Sequence, residues 1–593
     1  YFQWDNPLSV ANPVAAIELA NREGEGYRLL NNLELEYKMP FLDGLSLKSN
    51  ISYDYRAGEF SNFTSPEVSF GAGRVNNGFL RTEEEVKTST LIETYGTYRK
   101  ELGNSKFDVT VGHAYQDFIL DKDGVQGEFL ERADNEFGFS IPTEELKPDS
   151  VFLENRLISF FARVNYSLAD KYLLTLSMRR DGSTRFGPAN RWGYFPSAAF
   201  AWRVLQEDFA SGLRNTFSDL KVRLGYGLTG TESIDDYLYT TFYSYGTGDA
   251  AYQFGDEYVN TLRAVGVDPD IKWESTRSLN IGLDFGFFNN RLTGTLDVYR
   301  KTTTDLLARV AAGAFTNLSD QIVTNIAEME NEGIELALNS YVIDRELFDW
   351  EVGFTAAYNR NEITKLDNSN LPEFGGYETG GISGDVGQTI QILKVGEPIN
   401  SFRTYKHKRD ENGNPVIGAN DLERYEDINQ DGQINEEDLV VGESPDPDFI
   451  LGLTNTITYG NFDLAFTLRA NIGNYVYNNA ASATGYFDHL TVSEVTNNVH
   501  ESAFINNFKE RQLKSDIYVE NGSFLKLDNV SLGYTFNKFK FMRSLRIYTT
   551  VQNAFVVTGY SGIDPEAALN SQGIDNNVYP FSLTYLFGIN ASF

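Results

Sequence analysis

The closing stretch Phe581-Ser-Leu-Thr-Tyr-Leu-Phe-Gly-Ile-Asn-Ala-Ser-Phe593 decides the fold. Phe581, Leu583, Tyr585, Phe587, Ile589, Ala591 and Phe593 fall on one face at period two. Ser582, Thr584, Gly588, Asn590 and Ser592 fall on the other, with Leu586 the lone exception. Strict alternation of this length is a strand with one apolar and one polar side. An aromatic residue in last place suits the final strand of an outer-membrane β-barrel, whose apolar face meets lipid and whose polar face meets a wet lumen. The last strand of a soluble sandwich would alternate in the same way, so the rest of the chain has to choose.

Working back from that end, the same period recurs. Phe462, Leu464, Phe466, Leu468, Ala470 and Ile472 share a face, as do Trp350, Val352, Phe354, Ala356 and Tyr358. Leu279, Ile281, Leu283, Phe285 and Phe287 oppose Ser278, Asn280, Gly282, Asp284 and Gly286. Similar segments begin at Leu45, Ile158, Tyr172 and Leu220. Roughly seventeen can be traced, each near the length a tilted membrane strand needs. Links at Gly286–Arg291 and Tyr459–Phe462 are short, whereas those over 231–275, 360–447 and 475–520 are long. Short turns on one side and long loops on the other is the outer-membrane pattern; a sandwich would space its turns evenly. The sequence therefore predicts an all-β, transmembrane antiparallel barrel with long extracellular loops.

Composition agrees. Of 593 residues, 14% are aromatic, with 34 Tyr and 43 Phe against 4 Met and 4 His, a bias that suits strands and aromatic girdles. Mean hydropathy is −0.35, and no run approaches the roughly 18 apolar residues of a membrane-spanning helix. Cysteine is absent, consistent with an envelope protein that needs neither disulfides nor a thiol site. The formal net charge of −33 excludes nucleic acid as a partner. Runs such as Glu83-Glu84-Glu85 and Asp421–Asp438 read as solvated turns. Tyr1-Phe-Gln-Trp-Asp-Asn-Pro7 carries neither a basic nor an apolar signal region.

Asp427-Ile-Asn429-Gln-Asp431-Gly432-Gln433-Ile434-Asn435-Glu-Glu-Asp438 has the oxygen spacing of an EF-hand loop, with glycine where the chain must turn sharply. Asp427, Asn429, Asp431, Gln433, Asn435 and Asp438 are thus candidate Ca²⁺ ligands, within an acidic segment spanning 421–447. Asp438 replaces the usual bidentate Glu, and an Asx-rich turn without metal is the alternative. Tyr237, Tyr239, Phe242, Tyr243 and Tyr245, followed by Tyr252, Phe254 and Tyr258, form an aromatic loop suited to stacking sugar rings or gripping peptide side chains. Loop packing is the plainer reading of it. Arg179 to Gly187 reads as a polar turn with an ion-pair cluster rather than an anion site. His113, His407, His489 and His500 are isolated, and no nucleophile, phosphate-loop or dinucleotide signature is present, so neither an enzyme nor an organic cofactor is expected.

Taken in order, several segments resemble the barrel of the SusC/RagA family, the TonB-dependent outer-membrane transporters of Bacteroidota. They are Arg180-Asp-Gly-Ser-Thr-Arg-Phe-Gly187 with Trp192-Gly-Tyr-Phe-Pro-Ser197, Leu224-Gly-Tyr-Gly-Leu-Thr-Gly230, Asn280-Ile-Gly-Leu-Asp-Phe285 and Met329-Glu-Asn-Glu-Gly-Ile-Glu335. Asp427–Asp438 with Pro445-Asp-Pro-Asp-Phe449, Asn521 to Tyr534, Gln552-Asn553 and Tyr560-Ser-Gly-Ile-Asp-Pro-Glu566 complete the set. The resemblance implies a barrel of about 22 strands, the class with a plugged lumen. It implies that residues 1–593 are a partial barrel, with the plug domain and first strands outside the chain. It further implies residence in the outer membrane among lipid and lipopolysaccharide, a SusD-like surface lipoprotein as lid, TonB acting through the plug, and an oligosaccharide or oligopeptide as cargo. A structural role in a larger outer-membrane assembly, without transport, is the alternative. Tyr585, Phe587, Ile589 and Phe593 would then form the terminal membrane-assembly strand.

Overall fold

The computed structural model describes residues 13–66, 78–135, 137–143, 146–241, 243–245, 251–260, 262–311, 321–366, 375–384, 387–491, 498–537, 541–569 and 571–593. Alternating segments rich in β-branched and aromatic residues become long strands, as their period requires. In chain order these are β1 (Ala20–Lys38), β2 (Leu45–Thr64), β3 (Phe79–Leu102), β4 (Ser105–Glu128), β5 (Val151–Leu168) and β6 (Tyr172–Ser183). There follow β7 (Trp192–Arg203), β8 (Phe217–Thr231), β9 (Glu274–Phe287), β10 (Leu292–Ala311), β11 (Gln321–Arg345) and β12 (Phe348–Leu366). The last are β13 (Phe449–Tyr459), β14 (Phe462–Ile472), β15 (Phe524–Phe536), β16 (Ser544–Thr558) and β17 (Thr584–Ser592). With the two-residue strand Lys147–Pro148 they make one 18-stranded sheet among the described residues.

Every long strand pairs antiparallel with the next. Among the described residues β1 pairs only with β2, and β17 only with β16. The odd-to-even links are turns, except 204–216, which holds two 3₁₀ segments, and the even-to-odd links include the loops 232–273, 367–448, 473–523 and 559–583. Three hairpins turn on two residues, at Gly103-Asn104, Glu346-Leu347 and Gly460-Asn461, and in the first and last a φ of +58° and +56° calls for glycine.

Register identifies the two faces. Leu224, Ile281, Val298, Ile334 and Tyr358 lie in one cross-strand row with Phe449, all on the same side of the sheet. Ile281, Val298 and Ile334 are about half exposed there. A continuous apolar face of this extent belongs against lipid rather than water. Toward the short-turn end it finishes in an aromatic band, with Phe217 on Phe287 at 4.6 Å, Phe348 on Tyr459 at 6.2 Å and Phe462 on Tyr534 at 4.6 Å. The opposite face is polar: Arg223 reaches Asp284 at 2.8 Å and Asp297 at 2.9 Å, and Arg546 grips Asp463. Tyr585, Phe587 and Ile589 of β17 extend the apolar side and are well exposed, as is Phe593 just beyond the strand.

One expectation is corrected. Glu83-Glu84-Glu85 is not a turn but lies inside β3. The strands run up to 24 and 25 residues, well past the 9–11 that cross a bilayer, so their outer ends stand in water. There Glu25, Glu59, Glu84 and Asp123 occupy one register row across β1 to β4, where carboxylates on the outward face stay hydrated. Charge marked solvent, not chain reversal.

The two faces should respond oppositely to an inserted charge. Leu453→Arg places a cation on the apolar side of β13 and is expected to cost about 2–4 kcal/mol near the bilayer midplane, whereas Thr454→Arg on the polar side should be close to neutral. Unfolding midpoints in lipid vesicles, read from heat-modifiable gel mobility, check this.

Candidate functional site

The long-loop end carries what the strand wall lacks, a packed interior. Loops 367–448, 473–523 and 559–583 contribute Ile382, Ile390, Phe402, Tyr477, Ala481, Tyr518 and Ile574 to one apolar cluster. Short strands Tyr377–Gly381, Thr389–Leu393, Ser401–Tyr405 and Leu439–Val441 form a four-stranded sheet beside it. Tyr475–Tyr477 pairs with Val519–Asn521, and the Tyr560 hydroxyl donates a hydrogen bond to Asp575 at 2.7 Å. These loops are a folded platform rather than loose tips.

His407 is buried within the platform. Its Nδ1 lies 3.1 Å from Ser515 Oγ and its Nε2 3.1 Å from the Val416 carbonyl oxygen, with Tyr425 and Phe508 packed on the ring. Burial pushes its pKa below the ordinary value of 6.5.

An ion cluster ties the platform to the wall. Lys526, on the polar face of β15 and only 2% exposed, donates to Glu566 at 2.6 Å, and Arg469 of β14 reaches the other Glu566 oxygen at 2.6 Å. Arg469 also pairs with Asp528 at 2.5 Å, and the Lys526 ammonium sits 4.4 Å from the Phe581 ring centre. Glu566 belongs to the helical turn Pro565–Leu569, so this loop is latched onto the inside of the wall. None of these pairings is local in sequence, and the alternation pattern gave no signal of them.

A second loop packing involves 184–191 and 232–273. Phe186, Phe195, Ile271 and Trp273 form its core, with Trp273 donating to the Arg191 carbonyl at 3.1 Å. Arg185 pairs with Asp236 at 3.0 Å, and burial raises the pKa of Glu232 above the usual carboxylate range. Below this loop a cavity of about 360 Å³ opens along the polar face of β2 to β5, with Asp54, Arg56, Lys87, Asn155, Arg185 and Asp236 among its lining. Arg28 and Arg56 both hold Asp54, at 2.9 and 3.0 Å. Mixed charge with a few apolar neighbours suits a small polar or zwitterionic group.

The predicted aromatic loop is divided. Tyr237 is fixed by hydrogen bonds between its hydroxyl and the backbone of Glu154, and Tyr239 packs on the Phe186–Trp273 core. Tyr243, Tyr252 and Phe254 are largely exposed on small hairpins, and Tyr245 lies in the same strand as Tyr243. Phe242 lies outside the described residues.

The acidic loop closes on itself. Asp427 accepts from the amides of Asp431 at 3.2 Å and Gly432 at 2.9 Å, Asn429 Oδ1 from Asp431 at 3.0 Å, and Asp431 from Gln433 at 2.8 Å. Gly432 takes φ +83°, the turn its position demands. Asp438 is buried and spends its two oxygens on the amides of Ile428 and Asn435, which hold its carboxyl below the usual range. Asn435 Oδ1 accepts from the Glu437 amide at 2.8 Å, and Asn435 and Asp438 together form a capping box. Among the described residues no three His, Cys, Asp or Glu side chains gather as a metal cluster.

The sequence matches the family described as TonB dependent receptor-like, beta-barrel over residues 2–554. It is 37% identical to TonB-dependent receptor SusC of Bacteroides thetaiotaomicron, an alignment covering 99% of this chain and 58% of that protein. It is 30% identical to TonB-dependent receptor P3 of Formosa agariphila, covering 99% and 60%. Among solved structures, the RagAB peptide transporter shares its fold with a TM-score of 0.80 at 22% identity, covering 98% of this chain and 63% of that one. The chain thus spans 58–60% of the length of these curated relatives.

Two outcomes follow from the platform. Glu566→Ala leaves a buried Lys526 uncompensated and is expected to cost about 3–5 kcal/mol, seen as a lower unfolding midpoint in detergent. His407 stays neutral when folded but binds a proton when unfolded below pH 6.5, so stability should fall as pH drops through that value. His407→Gln should flatten the profile in thermal unfolding between pH 7.5 and 5.

Proposed function

This chain belongs to the TonB-dependent receptor β-barrel family of the outer membrane, and we propose that it forms the wall and loop platform of a nutrient importer. Cargo would be a soluble oligosaccharide or oligopeptide, held between the loops and a SusD-like lipoprotein lid and moved inward by TonB-driven work. The observation that carries this reading is the loop platform. Three long loops share one apolar core and are latched by Glu566 to Lys526 and Arg469, an investment suited to a surface that must hold a partner in fixed register. Exposed Tyr243, Tyr252 and Phe254 offer rings for that partner or for cargo. The mixed-charge cavity under loop 232–273 would be the first polar site along the lumen.

In the same reading the Asp427–Asp438 loop is a Ca²⁺ brace within the platform, with Asp427, Asn429, Asp431 and Gln433 as its donors. Asp438 would act as a helix cap and not as a ligand.

Purification from native outer membranes tests the import reading. A surface lipoprotein carrying glycan or peptide should come with the protein; a larger assembly without lipoprotein or ligand would overturn it and favour a scaffold. For the brace, millimolar Ca²⁺ should raise the unfolding temperature by some degrees, and Asp427→Asn with Asp431→Asn should abolish the rise. Isothermal titration without heat of Ca²⁺ binding would remove the brace.

A further inference from the structure

We propose that Arg180, cradled by Trp192 and Tyr194 on the outward face of the wall, is a recognition site for the phosphate of a lipid in the outer leaflet. Its neighbours in sequence are already engaged: Arg179 pairs with Asp181 and Arg185 with Asp236, both on the lumenal side. Arg180 points the other way. Register puts it in one row with His113, Phe160 and Tyr194, across β4 to β7. The next residues of that face toward the short-turn end are Met178, Leu176 and Leu174, the lipid-facing side of β6.

Among the described residues no carboxylate lies within ion-pairing distance of Arg180, and its Nε has no hydrogen-bond partner. What holds it is aromatic. The guanidinium carbon lies 4.2 Å from the Trp192 ring centre and 5.2 Å from that of Tyr194. Phe160 stacks on Trp192 at 6.4 Å, and His113 leans on Phe160 at 5.0 Å. Gly182 leaves the space the indole needs, since a Cβ there would meet it at 2.7 Å. Rings of this kind fix the guanidinium plane and leave its edge hydrogens free for a ligand.

Depth selects the occupant. Arg180 lies three residues from the end of β6 at Ser183, on the long-loop side, where the aromatic band of a barrel meets headgroups. A cation there, facing lipid and lacking an acid, has headgroup phosphate as its complementary charge. The site is independent of cargo and of any lid.

The test titrates the purified protein in detergent with diphosphoryl lipid A and with its dephosphorylated counterpart, reading retained lipid by native mass spectrometry. The phosphorylated form should be retained about tenfold more strongly. Arg180→Gln should erase the preference, and Arg180→Lys should keep only part of it, because a point charge lacks the planar fork. If Arg180→Gln does not assemble, judged by heat-modifiable mobility, Trp192→Leu with Tyr194→Leu removes the cradle and should give the same loss. Equal retention of the two lipids by the unaltered protein, or an undiminished preference in either variant, would overturn the assignment.

Discussion

Lipid offers no hydrogen bonds, and that single constraint organises the molecule. A backbone crossing hydrocarbon must satisfy every N–H and C=O within itself, which for strands means unbroken pairing with both neighbours. The antiparallel register running from β1 to β17 without a crossover answers that demand for β2 to β16, each paired on both sides. It also sets the inverted distribution of side chains: Leu224, Ile281, Val298 and Ile334 face out, while Arg223, Asp284 and Asp297 pair within. Ion pairs of the inner face such as Arg223–Asp284 are partly exposed and individually weak. The wall holds by its ladder.

A wall of this kind has no core of its own, so apolar cores appear only where loops are long enough to build one. Tyr477, Phe402 and Ile390 are fully or almost fully buried, yet all belong to the loop end. That end then needs anchoring, because loops on a tilted sheet can swing. The Lys526–Glu566–Arg469 cluster supplies the anchor from the polar face of the wall. Its worth lies in position rather than net energy, since a buried ion pair roughly offsets its own desolvation. Placement of a partner or cargo over the lumen would inherit its precision from this latch.

The wall was legible in the sequence because period two is written locally. Leu279 to Phe287 and Phe462 to Ile472 alternate as cleanly in the strands as in the letters, and the short hairpins fell where glycine and asparagine stood. Glu83 to Glu85 misled because acidity was taken for a turn, when both faces of a strand that has left the bilayer are just as wet. Tyr237 and Tyr239 allowed both ligand contact and loop packing, since composition cannot say which aromatic ring in a loop turns inward, and in the structure both pack. The latch could not be seen at all. Arg469 and Glu566 are far apart in the chain and carry no periodic signal. Arg180 was legible only as part of a polar turn; the register that sends it outward while Arg179 turns inward is a property of the pleat.

The central claim is that successive residues along each strand meet lipid and lumen in turn. The chain has no cysteine, so single cysteines placed one at a time from Ser278 to Phe285 report each face without background. In membranes, a bulky water-soluble maleimide should label positions 278, 280, 282 and 284 and spare 279, 281, 283 and 285. Labelling without that alternation, or with the opposite phase, would contradict the account.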